Sequence, residues 1–181
     1  MRRREFCVLP LLLTGCGMAE YDIQPSPSLR TSKSVFSGGV EGEWTPTVNF
    51  DVALGDFSAT FSVRRGHYIR IGSIVWCFFS VIANPITFTT SSGSLMLDGL
   101  PFSVFGAPDF PFSGGNLRWG GINKANYTDM FVQVAPTFVN SCSFLMSGNG
   151  VNSLAVQATN LTSGGTLLLV GHISYQCRDD A

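Results

Sequence analysis

Residues 74–82 read Ile74-Val75-Trp76-Cys77-Phe78-Phe79-Ser80-Val81-Ile82, apolar at almost every position. Their β-branched and aromatic content predicts a strand, and a strand without polar alternation must be covered on both faces. One face can lie in a core. The other needs a second layer or a neighbouring subunit, because an exposed apolar strand invites aggregation. The run Leu167-Leu168-Leu169-Val170 makes the same demand. We therefore expect an oligomer, with Trp76, Phe78, Leu167 and Leu169 as candidate interface residues. Composition agrees with this. Charged residues make up 13% of the 181-residue chain, about half the ~25% of a typical soluble domain. The 15 Phe residues exceed what so short a chain readily encloses alone, and a symmetric oligomer supplies more interior.

From Glu43 onward, short β-rich runs alternate with turn residues. Candidate strands occupy 44–50, 58–63, 67–71, 73–83, 86–90, 94–97, 117–119, 130–134, 141–146, 154–158 and 166–175. Between them lie Arg65-Gly66, Ile71-Gly72, Ser92-Gly93, Asp98-Gly99, Gly114-Gly115, Gly148-Asn149-Gly150 and Gly164-Gly165. Turn signals at this spacing predict an all-β, antiparallel β-sandwich, jelly-roll-like, over residues 42–181. No segment of ten or more residues carries a helical period. Ile69 and Ile71 flank Arg70, which predicts that Arg70 faces water.

Residues 1–41 differ in kind. They read as an extended arm: an anchor or docking segment, then a linker containing Gln24-Pro25-Ser26-Pro27-Ser28 and Ser37-Gly38-Gly39. The start has a basic cluster, Arg2-Arg3-Arg4, then an apolar run from Phe6 to Leu13 and then small residues. That order is the pattern of a secretory signal. Leu13-Thr14-Gly15-Cys16 is similar to a bacterial lipobox, in which Cys16 would carry lipid and hold the protein on a membrane surface. Glu5 and Pro10 interrupt the pattern, and the run falls far short of the ~20 residues a bilayer span needs. The other reading is an apolar peg that packs into a partner protein. Both stay open.

The chemistry-bearing residues are sparse. A net charge of -1 leaves no basic stripe for nucleic acid. Cys7, Cys16, Cys77, Cys142 and Cys177 are too widely spaced for a zinc knuckle or a dense disulfide framework. Cys77 and Cys142 read as buried thiols, and an oxidising compartment leaves room for a Cys142–Cys177 bridge. His67 and His172 each stand alone and read as packed or surface residues. Asp51, Asp56, Asp98, Asp109 and Asp129 lie in or beside turns. Paired carboxylates can hydrolyse glycans, but the sequence brings no two of these together. There is no nucleophile elbow or phosphate loop. We expect no catalysis, no metal and no cofactor. The remaining candidate site is the stretch after Phe102, residues 103–121, with Tyr127 just beyond. Phe110, Arg118, Trp119 and Tyr127 offer rings and a guanidinium for stacking and hydrogen bonding on a sugar or protein surface. In the other reading, Phe105, Phe110 and Phe112 cap the core or a seam between subunits.

Several short motifs, in order, resemble the β-sandwich module of bacteriophage tail-fibre and appendage proteins. They are Gly42-Glu43-Trp44-Thr45-Pro46-Thr47, Tyr68-Ile69-Arg70-Ile71-Gly72 and Gly93-Ser94-Leu95-Met96-Leu97-Asp98-Gly99-Leu100-Pro101-Phe102, with the long apolar strand at 73–83 and a last strand at 165–175. The likeness covers residues 42–177. It implies a virion structural protein: a homotrimeric receptor-binding fibre or spike mediating host attachment through a surface glycan or protein. Residues 1–40 would then dock to other virion proteins. The lipobox reading implies instead a surface lipoprotein with a β-sandwich binding domain.

Overall fold

The computed structural model describes residues 39–105, 113–134 and 139–178. The chain divides into two units, Met1–Val35 and Phe36–Ala181, and the described residues belong to the second. The arm with Cys16, and Phe110, lie outside the described residues.

The fold is all-β and antiparallel. Ten strands follow in chain order: β1 (Gly39–Trp44), β2 (Thr47–Phe50), β3 (Ser58–Ile71), β4 (Ile74–Thr87), β5 (Leu95–Asp98), β6 (Ser113–Gly120), β7 (Asp129–Val134), β8 (Ser141–Gly148), β9 (Val151–Ala155) and β10 (Leu167–Gln176). They form one curled sheet in the order β1-β3-β4-β10-β6-β7-β8-β5-β2, with β9 on β8. Curling makes two layers. Val75, Cys77, Phe79 and Val81 of β4 share one core with Val132 of β7 and Phe144 of β8. Phe79 and Phe144 meet edge to face at 6.4 Å, a geometry that adds about 0.5–1.5 kcal/mol to the buried area.

Two corners join the layers. At one, Thr45-Pro46 carries the chain from β1 in the first layer to β2 in the second. Proline has no N–H for a ladder, so pairing stops there. At the other, β6 pairs with both layers: its 117–120 half with β10, its 113–116 half with β7. Gly115 permits this bend. A Cβ on Gly115 would run into the His172 carbonyl, and one on Gly171 into the Asn116 carbonyl. Gly114-Gly115 is therefore a strand corner rather than the expected turn.

Gly66 departs from expectation in the same way. Residues 58–63 and 67–71 are one strand, with Gly66 buried in its middle. Gly66 faces Trp44 across β1–β3, and Gly42 faces Tyr68. A Cβ on Gly66 would strike the Trp44 indole, and one on Gly42 would strike the Tyr68 ring. Each glycine makes room for the ring on the opposite strand. True turns lie elsewhere. Gly72 (φ 58°) opens the β3–β4 hairpin and Gly150 (φ 71°) closes β8 to β9.

The ends of the sandwich are pinned by polar side chains. At one end Thr89 and Thr90 surround Asp56 with backbone and hydroxyl hydrogens, at 2.6–3.0 Å. These donors hold its carboxyl well below the ordinary carboxylate range. Phe50, Phe57 and Phe88 cluster beneath, with ring centroids 5.5–6.4 Å apart. At the other end the Tyr175 hydroxyl donates to the Phe102 carbonyl at 3.0 Å. It anchors Leu100-Pro101-Phe102 over the core, where Leu100 is buried and Phe102 half-buried. Cys77, Cys142 and Cys177 are buried and form no disulfide, so Cys142 and Cys177 are not bridged. Burial pushes Cys77 up to about 12 and raises Cys142 further still.

Candidate functional site

The outer face of the β1–β3–β4–β10–β6 layer carries an apolar strip. Registers fix its rows. Ile71 of β3 faces Ile74 of β4, which faces Gln176 of β10. The next row runs Glu41, Ile69, Trp76, Ser174, and the next Glu43, His67, Phe78, His172. Then come Arg65, Ser80, Val170 and Arg118, with Ile82 and Leu168 beyond. Alternation puts all of these on the face away from the core. Trp76 is 38% exposed and Phe78 45%. Ile69, Ile71 and Ile74 are exposed too, whereas Leu168, Val170 and Ile82 are half-buried.

A groove of about 460 Å³ runs over this face, lined by Glu43, Arg65, His67, Phe78, Ser80 and His172 among others. The Phe78 ring forms part of its lining. The His172 imidazole lies 6.1 Å from it, tilted by 39°, and His67 flanks it on the opposite strand. The two histidines, far apart in sequence, thus bracket one aromatic ring. The groove offers an apolar stacking surface with two imidazoles, a carboxylate and a guanidinium at its sides. Among the described residues there is no cluster of three or more His, Cys, Asp or Glu side chains able to hold a metal.

The expected site residues fall into separate places. Trp76 and Phe78 are on the outer strip. Leu167 and Leu169 are not: both are fully buried in the core. They face Ala83 and Val81, so the outward residues of β10 are Leu168 and Val170. This corrects their assignment to an interface. Arg118 is exposed on the outer face, but Trp119, its neighbour in β6, points to the opposite side and packs against the core. Much of the stretch expected as one loop is strand β6, and a strand sends successive side chains apart. Arg118 and Trp119 therefore do not share a contact surface. Tyr127 is half-buried, its hydroxyl donating to the Asn152 carbonyl at 3.1 Å, with the Lys124 ammonium 5.5 Å above its ring.

Arg70 also corrects its expectation. Ile69 and Ile71 face outward, and Arg70 turns to the inner side. Its Nε donates to the Gly72 carbonyl at 2.8 Å and its guanidinium lies 4.7 Å over the Phe102 ring. Phe102 in turn meets Tyr68 edge to face at 5.2 Å. The sequence reading missed His67, His172, Ile69, Ile71 and Leu168 as members of one face. A signal for β10 was present. His172, Ser174 and Gln176 alternate with Ile173 and Tyr175, and extending that phase backward puts Leu168 and Val170 outside.

No family model matches the chain, and no curated protein matches it. Among solved structures, the crystal structure of the Dettilon tailspike protein (gp208) is similar, with a TM-score of 0.56 and 14% sequence identity. The fold resembles part of a phage tailspike. The likeness covers 76% of this chain and 24% of the tailspike chain. It therefore concerns the fold of one section of a much longer protein.

Proposed function

We propose that this chain is a virion attachment protein of a bacteriophage: a short fibre, spike or appendage, homotrimeric, that binds a host surface glycan or protein without catalysing a reaction. The observation that carries the reading is the likeness of its fold to a section of a tailspike, agreeing with the motif order in the sequence. The outer strip of Ile69, Trp76 and Phe78 supports the oligomer, since a contiguous apolar face marks an interaction surface. The acids support a structural role. Asp56 is bound by Thr89 and Thr90, Asp98 accepts from Asn49 at 2.7 Å, and Asp51 from the Ser94 N–H at 2.6 Å. Each is committed to holding a turn or an edge.

The test is the intact mass of the native protein in purified particles, with sedimentation of the isolated chain. The expected result is a chain that co-purifies with virions and sediments as a trimer. A chain beginning at Cys16 with added acyl mass, found in bacterial membranes, would replace this reading with a surface lipoprotein. Adsorption competition by the pure protein tests the attachment role, and failure to compete at saturating concentration would count against it.

A further inference from the structure

The apolar strip is flanked by opposite charges. Glu41 and Glu43 stand on β1 at one lateral edge, and Arg118 stands on β6 at the other; all three are exposed. They share the outer face with the strip, because Glu41 and Glu43 face Ile69 and His67 while Arg118 faces Val170. Four strand spacings separate the edges, about 19 Å at roughly 4.8 Å each. That is about two screening lengths at physiological salt, so the edges barely neutralise each other within one chain. Arg65 differs, since it lies one strand in from the acidic edge and lines the same groove as Glu43.

We propose that a second copy of this chain covers the strip, with the Glu41–Glu43 edge of one copy seated against Arg118 of the other. This rests on the oligomeric reading above and adds the polarity of the contact. The strip supplies the area, and the edges set which way round the copies meet, as charge complementarity does at other interfaces. Ile69, Trp76, Phe78 and His172 would then be buried between copies. Two different edges thus meet at each contact, as a head-to-tail ring requires.

The test is sedimentation of the full chain at micromolar concentration, with far-UV dichroism and thermal unfolding to check folding. Phe78→Asp is expected to give a folded monomer, since Phe78 is already exposed in the single chain. Arg118→Glu, and separately Glu41→Lys with Glu43→Lys, are each expected to weaken assembly by about tenfold or more. Combining all three changes should restore it, because the charges are exchanged rather than lost. A monomeric wild-type chain would sink the oligomer and this inference together. A wild-type oligomer that survives Phe78→Asp would leave the oligomer standing and overturn this face as its contact. Dissociation by Phe78→Asp, with charge reversals that do nothing or a triple variant that stays weak, would overturn the proposed polarity.

Discussion

The two outer faces of the sandwich are built differently. The β1–β3–β4–β10–β6 layer presents Ile69, Ile71, Ile74, Trp76 and Phe78 outward. The other layer presents Thr47, Asn49, Asp98, Ser141, Ser147, Asp129 and Gln133, with Phe131 and Leu145 half-buried among them. Both layers close over the same core, so the demands of that core do not explain the contrast. A polar outer face needs no partner, whereas an apolar one is costly in water, by about 25 cal/mol per Å² left exposed. The difference concentrates the exposed apolar residues of the two faces on one side, the side proposed above for contact between copies.

Four measurements break or sharpen this contrast. The largest effect is expected between neighbours on β10. Leu169→Ala should cost about 2–5 kcal/mol in urea unfolding, while Leu168→Ser, at a half-buried position, should cost the single chain about 1 kcal/mol. Equal losses would mean that the register of β10 has been misassigned. Next, Trp119→Ala should cost about 2 kcal/mol, roughly half the loss at a fully buried ring. An unchanged Tm with lost host adsorption would instead make Trp119 a contact residue.

The third effect follows pH. The Cys77 thiol ionises near its ordinary 9.0 in the unfolded chain but near 12 when buried. Its contribution is intact below pH 9 and is lost as pH rises toward 12, because the unfolded state gives up the proton first. Cys77→Ala should flatten that alkaline slope, read as denaturation midpoint against pH. The smallest effect is at Asp56, which is solvent-exposed. Its folded carboxyl stays ionised below the ordinary 3.8, so its contribution is present above that value and fades as pH falls below it. Asp56→Asn should remove this acid dependence and leave both outer faces unchanged.

The fold class was legible because turn glycines and β-rich runs alternate along the whole body. What failed was glycine's double meaning. Gly72 and Gly150 mark turns, but Gly66 and Gly115 sit inside strands where a ring or a backbone passes close. Composition cannot separate these uses. The side each strand buries was legible where polar residues set the phase, as in His172-Ile173-Ser174-Tyr175-Gln176. It was illegible in β4, whose two faces are both apolar, and at Arg70, which has a ring to lie on. The pairing of His67 with His172 across Phe78 depends on strand order, which no local pattern encodes.

Strand β10 is made last of the ten yet sits in the interior of its layer, between β4 and β6. During synthesis, then, β4 has β3 on one side and a bare row of backbone donors and acceptors on the other until residues 167–176 leave the ribosome. Such an unpaired apolar edge is prone to mispairing with other nascent chains. The middle of the layer is therefore filled last, and a chain cut short before Leu167 leaves its most hydrophobic strand without that neighbour.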